Sequence, residues 1–112
     1  MNHGLSDETV EKICGVLARH VQVEKALLYG SRAKGTYKNG SDIDLTLLGD
    51  GLVFDELMGI MDELDDLLLP YTMDLSIFSM IDHVNLREHI RRVGQDFYHR
   101  PGVVTSRHLE PS

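Results

Sequence analysis

A chain of 112 residues is the size of one domain, with room for a single core and one site built on it. Its apolar fraction of 42% and charged fraction of 26% exclude a largely disordered chain, and no run approaches the ~20 apolar residues needed to cross a bilayer. The net charge of -7 excludes a domain that grips nucleic acid by charge alone, because that mode of binding needs a basic surface.

The N-terminus lacks the basic start and apolar stretch of a signal peptide, so the expectation is a soluble cytoplasmic protein with no membrane partner and no direct nucleic-acid binding. Ser6 reads as a helix N-cap, with Asp7 and Glu8 in the first turn and Val10, Ile13, Cys14, Leu17 and Val21 following at helical steps. Cys14 is the single cysteine, without an internal disulfide partner, and falls on that stripe as a small core residue. Lys25 to Tyr29 is a short apolar run that stops at Gly30 and predicts a strand. Ser31 to Lys34 then reads as one helical turn closed by Gly35, and Asn39-Gly40 as a tight turn.

Asp42-Ile43-Asp44-Leu45-Thr46-Leu47 alternates polar and apolar side chains, the pattern of a half-buried strand that projects Asp42 and Asp44 from one face. Phe54, Leu57, Met58, Met61, Leu64, Asp65 and Leu68 give a second helix, stopped by Pro70. Met73 to Phe78 alternates again and predicts a third strand, carrying Asp74. Asn85 with Glu88 resembles a capping box for a last helix whose stripe is Leu86, Ile90, Val93 and Phe97. From His99 the sequence loses periodicity and reads as a flexible end. The order of elements predicts an α/β domain of the α+β kind, a small mixed sheet with flanking helices.

Chemistry concentrates in Gly30-Ser31-Arg32-Ala33-Lys34-Gly35, in Ser41-Asp42-Ile43-Asp44-Leu45 and at Asp74. Two carboxylates on one strand face repel when both are ionised, and a divalent cation removes that penalty. Mg²⁺ takes oxygen ligands and binds through one or two carboxylates plus substrate phosphates, which suits an Asp-x-Asp pair; Asp74 joins the cluster if its strand lies beside the second. An Asp-x-Asp alone is more often a solvated strand face, and a Gly-Ser pair alone an ordinary turn. A glycine ending a strand also admits a ligand close to the backbone, and a serine opening a helical turn offers a hydroxyl and amide donors to a phosphate. Arg32 and Lys34 are each as readily exposed surface cations as phosphate contacts. The run Asp62, Glu63, Asp65 and Asp66 reads as a solvated helix face, and His83 and His89 as surface residues.

Together these strings resemble the DNA polymerase β-like nucleotidyltransferases, whose signature is Gly-Ser, a short gap, Asp-x-Asp and a later strand Asp; here ten residues separate Ser31 from Asp42. Gly-Ser-Arg-Ala-Lys-Gly followed by Ser-Asp-Ile-Asp-Leu is specifically similar to the minimal nucleotidyltransferases, small proteins paired with a helical HEPN partner. The resemblance covers about residues 10–98. It implies a nucleotidyltransferase domain over residues 1–98, with 99–112 as the tail, and two divalent ions, Mg²⁺ or Mn²⁺, held by Asp42, Asp44 and Asp74 as the catalytic carboxylates. It further implies that ATP or another nucleoside triphosphate is bound through Gly30 and Ser31, assisted by Arg32 or Lys34.

With no acceptor-binding domain evident, the resemblance places the acceptor on a partner, a HEPN-type toxin that is adenylylated on tyrosine and so neutralised. Self-association into a homo-oligomer is left open. Two alternatives stand beside this reading: an antitoxin that acts by binding alone, and a nucleotidyltransferase acting on a small molecule or an RNA end.

Overall fold

A computed structural model describes residues 3–38 and 42–102 of the chain. The expected turn at Asn39-Gly40, Ser41 and the tail from residue 103 onward lie outside the described residues. Helix α1 (Asp7–Ala18) begins where its cap predicts: Ser6 is extended, and its hydroxyl accepts the Thr9 amide at 3.2 Å. Ile13, Val16 and Leu17 are buried, whereas Val21 lies beyond the helix end and is 72% exposed, so it does not belong to the stripe assigned to it.

Strand β1 (Lys25–Tyr29) runs into the single turn α2 (Ser31–Lys34), closed by Gly35 in the left-handed conformation. Strand β2 (Ile43–Leu48), helix α3 (Phe54–Asp65) and strand β3 (Met73–Ile77) form a parallel crossover unit; a 3₁₀ turn over Phe78–Met80, helix α4 (Val84–Val93) and strand β4 (Gln95–His99) complete the described chain. The sheet is mixed, in the order β3-β2-β1-β4, with β1 antiparallel to both neighbours and β2 parallel to β3.

Helices cover both faces. Ala26, Leu28, Ile43, Leu45, Leu47, Leu75 and Ile77 meet α1 and α3 through Ile13, Val16, Leu17, Leu57, Ile60 and Leu64. On the opposite face Leu27, Tyr29, Leu48 and Phe78 pack with Ile90 of α4. This second cover is why β2 departs from the half-buried alternation expected of it: Thr46, on its polar face, has no exposed surface, and its hydroxyl is satisfied by the Ser76 hydroxyl, which donates to it at 2.9 Å.

Four boundaries differ from the sequence reading. Helix α3 ends at Asp65, ahead of Pro70, and the chain turns through Leu68, which is 87% exposed with φ of 55°; Ile60 replaces Met58 on the buried stripe. The cap of α4 is His83, whose Nδ1 accepts the Leu86 amide at 3.3 Å, not Asn85. Phe97 is not on that helix but on β4, which pairs with β1. Residues 99 and 100 are also tied down: His99 ends β4, and the Arg100 guanidinium donates to the carbonyls of Leu17, Ala18, His20 and Val23.

Candidate active site

The strand ladder assembles the carboxylates. In the parallel pairing of β2 with β3, Asp44 lies directly opposite Asp74, and in the antiparallel pairing with β1 it lies opposite Tyr29. Asp42 immediately precedes β2, two residues back on the side shared with Asp44. Asp42 and Asp74 are exposed and Asp44 is half-buried. Burial, followed by the negative charges of Asp74 and Asp42, pushes the Asp44 carboxyl above its ordinary value. The charged form of Asp44 is thus disfavoured both by its burial and by its acidic neighbours.

Gly30 is built around the same residue. It sits at φ 76° and ψ -155°, and a Cβ there would fall inside contact distance of Asp44 Oδ2. Only a glycine lets the β1–α2 connection pass this close to the carboxylate. Ser31, half-buried, opens α2, whose first amides lack partners within the helix. The Gly-Ser turn and the aspartates are thereby brought together at one end of the sheet.

The two cations of the turn separate. Lys34 is exposed. Arg32 is 2% exposed, stacked at 5.1 Å from the Tyr37 ring centroid and 4.9 Å from that of Tyr71, with Nη1 donating to the His3 carbonyl at 2.8 Å. It is neither the surface cation nor the open phosphate contact anticipated; it clamps α2 to two aromatic rings.

Two residues to which sequence reasoning gave no functional role lie at the same end. Tyr29 is 7% exposed; burial raises its phenol, a hydrogen bond with Ser76 opposes this, and Asp74 and Asp44 raise it further. His89, read as a surface residue, is half-buried with its ring edge-on to Tyr29 at 6.3 Å. Burial and then the charges of Lys34 and Arg92 lower its imidazole below the ordinary value. The helical steps that put Leu86 and Val93 on the inner face of α4 put His89 there too, and that was the available signal.

The acidic run on α3 is only partly a solvated face. Glu63 accepts from Arg19 Nη2 at 2.8 Å and faces His20 Nε2 at 2.6 Å, while Glu56 faces His20 Nδ1 at 3.2 Å, so this side of α3 is clasped to the end of α1. Cys14 is half-buried, its thiol pushed up by burial and directed at the Phe97 carbonyl at 3.5 Å. Among the described residues, Asp42, Asp44 and Asp74 included, no three carboxylate, imidazole or thiol groups are gathered closely enough by themselves to hold a metal ion, and no helix is long and apolar enough to cross a membrane.

A mixed sheet that presents Asp-x-Asp beside a strand Asp, with a Gly-Ser turn against them, defines a nucleotidyl-transferring class of site, and residues 11–101 match the family model of polymerase β nucleotidyltransferases. The chain belongs to that family. Its fold is similar to solved toxin–antitoxin structures: one with AMP-PNP (TM-score 0.67, 21% identity, covering 82% of this chain and 74% of that one) and one of MntA–HepT (0.64, 18%, 85% and 74%). A third is the tri-AMPylated Shewanella oneidensis HEPN toxin in complex with its MNT antitoxin (0.65, 17%, 86% and 74%). No curated protein matches the sequence significantly.

Proposed function

We propose that this protein transfers AMP from ATP to a tyrosine hydroxyl on a HEPN-type partner and so acts as its antitoxin. The observation that carries the reading is the placement of Asp44 opposite Asp74, with Asp42 beside them and the Gly30–Ser31 turn against Asp44. Fold likeness to a complex of an MNT antitoxin with a tri-AMPylated HEPN toxin supports the choice of group and acceptor.

The donor set fits hard divalent cations. It is all carboxylate oxygen, one member is destabilised in its charged form by burial and by the other two, and the cluster is open enough for substrate phosphates and water to complete the coordination. Asp42, Asp44 and Asp74 would hold Mg²⁺ or Mn²⁺, which when bound supplies charge neutralisation at the triphosphate and a lowered pKa at the attacking hydroxyl. Gly30 and Ser31 present backbone and hydroxyl donors to the phosphates, and Lys34 adds charge. The acceptor oxygen bonds to the α-phosphorus, the bond from that phosphorus to its bridging oxygen breaks, and pyrophosphate leaves. The proton passes to the exposed carboxylate of Asp74 or to water. A phenol, with a pKa of about 10, gives up its proton beside such a site more readily than an aliphatic alcohol.

Intact-mass spectrometry of the partner, incubated with this protein, ATP and Mg²⁺, is the test. A mass increase of one or more AMP groups is expected, absent with Asp42→Asn/Asp44→Asn. Neutralisation of the partner without any mass change would replace transfer by binding alone, and label appearing on RNA or a small molecule would move the acceptor.

A further inference from the structure

A protein with a net charge of -7 must concentrate positive charge locally wherever it holds a triphosphate. Arg32, the first cation after the Gly-Ser turn, is unavailable, stacked between two tyrosines and bonded to a carbonyl. Lys12, Arg19, Lys25 and Arg91 are paired with carboxylates, and Arg87 and Arg100 are turned onto backbone carbonyls. Among the described residues, Lys34 and Arg92 are the lysine and arginine left with no ion-pair, hydrogen-bond or ring partner; both are exposed. They come from different elements: Lys34 lies on α2, whose Gly30 cap is packed against Asp44, and Arg92 lies on α4, three residues after His89.

His89 fixes where this happens. Its ring lies edge-on to Tyr29, which is the strand neighbour of Asp44, itself the neighbour of Asp74. Arg92 follows His89 by three residues on the same helix, so the two side chains lie close on its surface. Helix α4 thus brings His89 to the end of the sheet that carries the carboxylates, with Arg92 one turn on, and α2 starts at that same end and carries Lys34. Like charges left together without partners are unfavourable in the free protein, and a polyanion relieves that repulsion.

We propose that Lys34, His89 and Arg92 form a polyphosphate-binding wall, which grips the β and γ phosphates of a nucleoside triphosphate opposite the carboxylate cluster. This rests on the nucleotidyltransferase reading above and deepens it: α4, not the Gly-Ser turn alone, selects triphosphate over monophosphate. His89 and Arg92 are binding residues in this assignment.

The test titrates the full chain, in Mg²⁺, with a fluorescent non-hydrolysable ATP analogue and with the matching AMP analogue. The variants are Lys34→Ala, Arg92→Ala and His89→Phe, the last keeping a ring against Tyr29 while removing both nitrogens; Arg91→Ala, paired with Glu88 and next in sequence to Arg92, is the control. Each wall variant is expected to weaken triphosphate binding about tenfold, the scale of one charge-assisted hydrogen bond, with AMP binding and circular-dichroism melting unchanged. Wild-type triphosphate affinity in all three variants overturns the wall and leaves the nucleotidyltransferase reading intact. Equal losses for AMP and triphosphate, or an Arg91→Ala loss as large as that of Arg92→Ala, overturn it as well. No nucleotide binding by the unaltered chain overturns both.

Discussion

Gly30 and Asp44 show how tightly single residues are coupled at this site. Gly30→Ala places a methyl group against Asp44 Oδ2 on a backbone at φ 76°, where side chains are strained for reasons independent of the contact. The expected loss of stability is about 1–3 kcal/mol by urea melting, with transfer falling further than unfolding explains because the carboxylate is displaced. Unchanged transfer would show that the close approach is incidental. Asp44→Asn should act in opposite directions on stability and activity. Burial, Asp74 and Asp42 raise the folded-state pKa of Asp44, so the folded chain holds that proton more tightly than the unfolded chain does. Stability therefore falls as pH rises from the unfolded carboxyl value through the raised one, and levels above it. Asn escapes that loss: the variant should melt higher than the parent at neutral pH, converge with it in acid, and lose transfer by about a thousandfold or more. A variant that melts lower at neutral pH would make Asp44 a structural residue.

At the scale of elements, the clearest test of the corrected C-terminal boundary is Arg100. Its guanidinium holds the carbonyls at the end of α1 and in the loop leading to β1, so Arg100→Ala should cost about 2–3 kcal/mol, read by thermal or urea melting. A neutral result would restore the loose tail expected from the sequence. Most elements were legible because each carried its own local signal: the Ser6 cap, the run that stops at Gly30, the alternation around Asp44 and Asp74. Strand β4 was not, because Phe97 continues the helical spacing of Leu86, Ile90 and Val93, and only long-range pairing with β1 decides otherwise. Ile60 was passed over for Met58 because both fit an apolar count, and the side of α3 that turns inward is set by its contact with α1 and the sheet. The three aspartates were legible through spacing, and their register was the remaining fact. Arg32 was not legible: its partners Tyr37 and Tyr71 lie on different segments that meet only in the fold.

For the whole molecule, the acidic balance predicts that nucleotide and metal binding depend on each other. Mg²⁺ alone should bind weakly to the carboxylates, and tightly once a non-hydrolysable ATP analogue supplies phosphate oxygens, with a matching rise in melting temperature. Calorimetry with and without the analogue measures this, and equal metal affinity in the two cases would refute the coupling. The register of Asp44 against Asp74 has a different consequence. Their separation is a property of the backbone ladder, about 4.8 Å between neighbouring strands, and not of any loop or side-chain choice. The intervening segment joins two fixed anchor points: the inner side of α3 belongs to the core and its Glu56 and Glu63 are clasped to His20 and Arg19, which leaves its outer surface and flanking loops open to change. Descendants of this chain are therefore free to recharge that outer surface or lengthen those loops while the spacing of Asp44 and Asp74 is inherited unaltered.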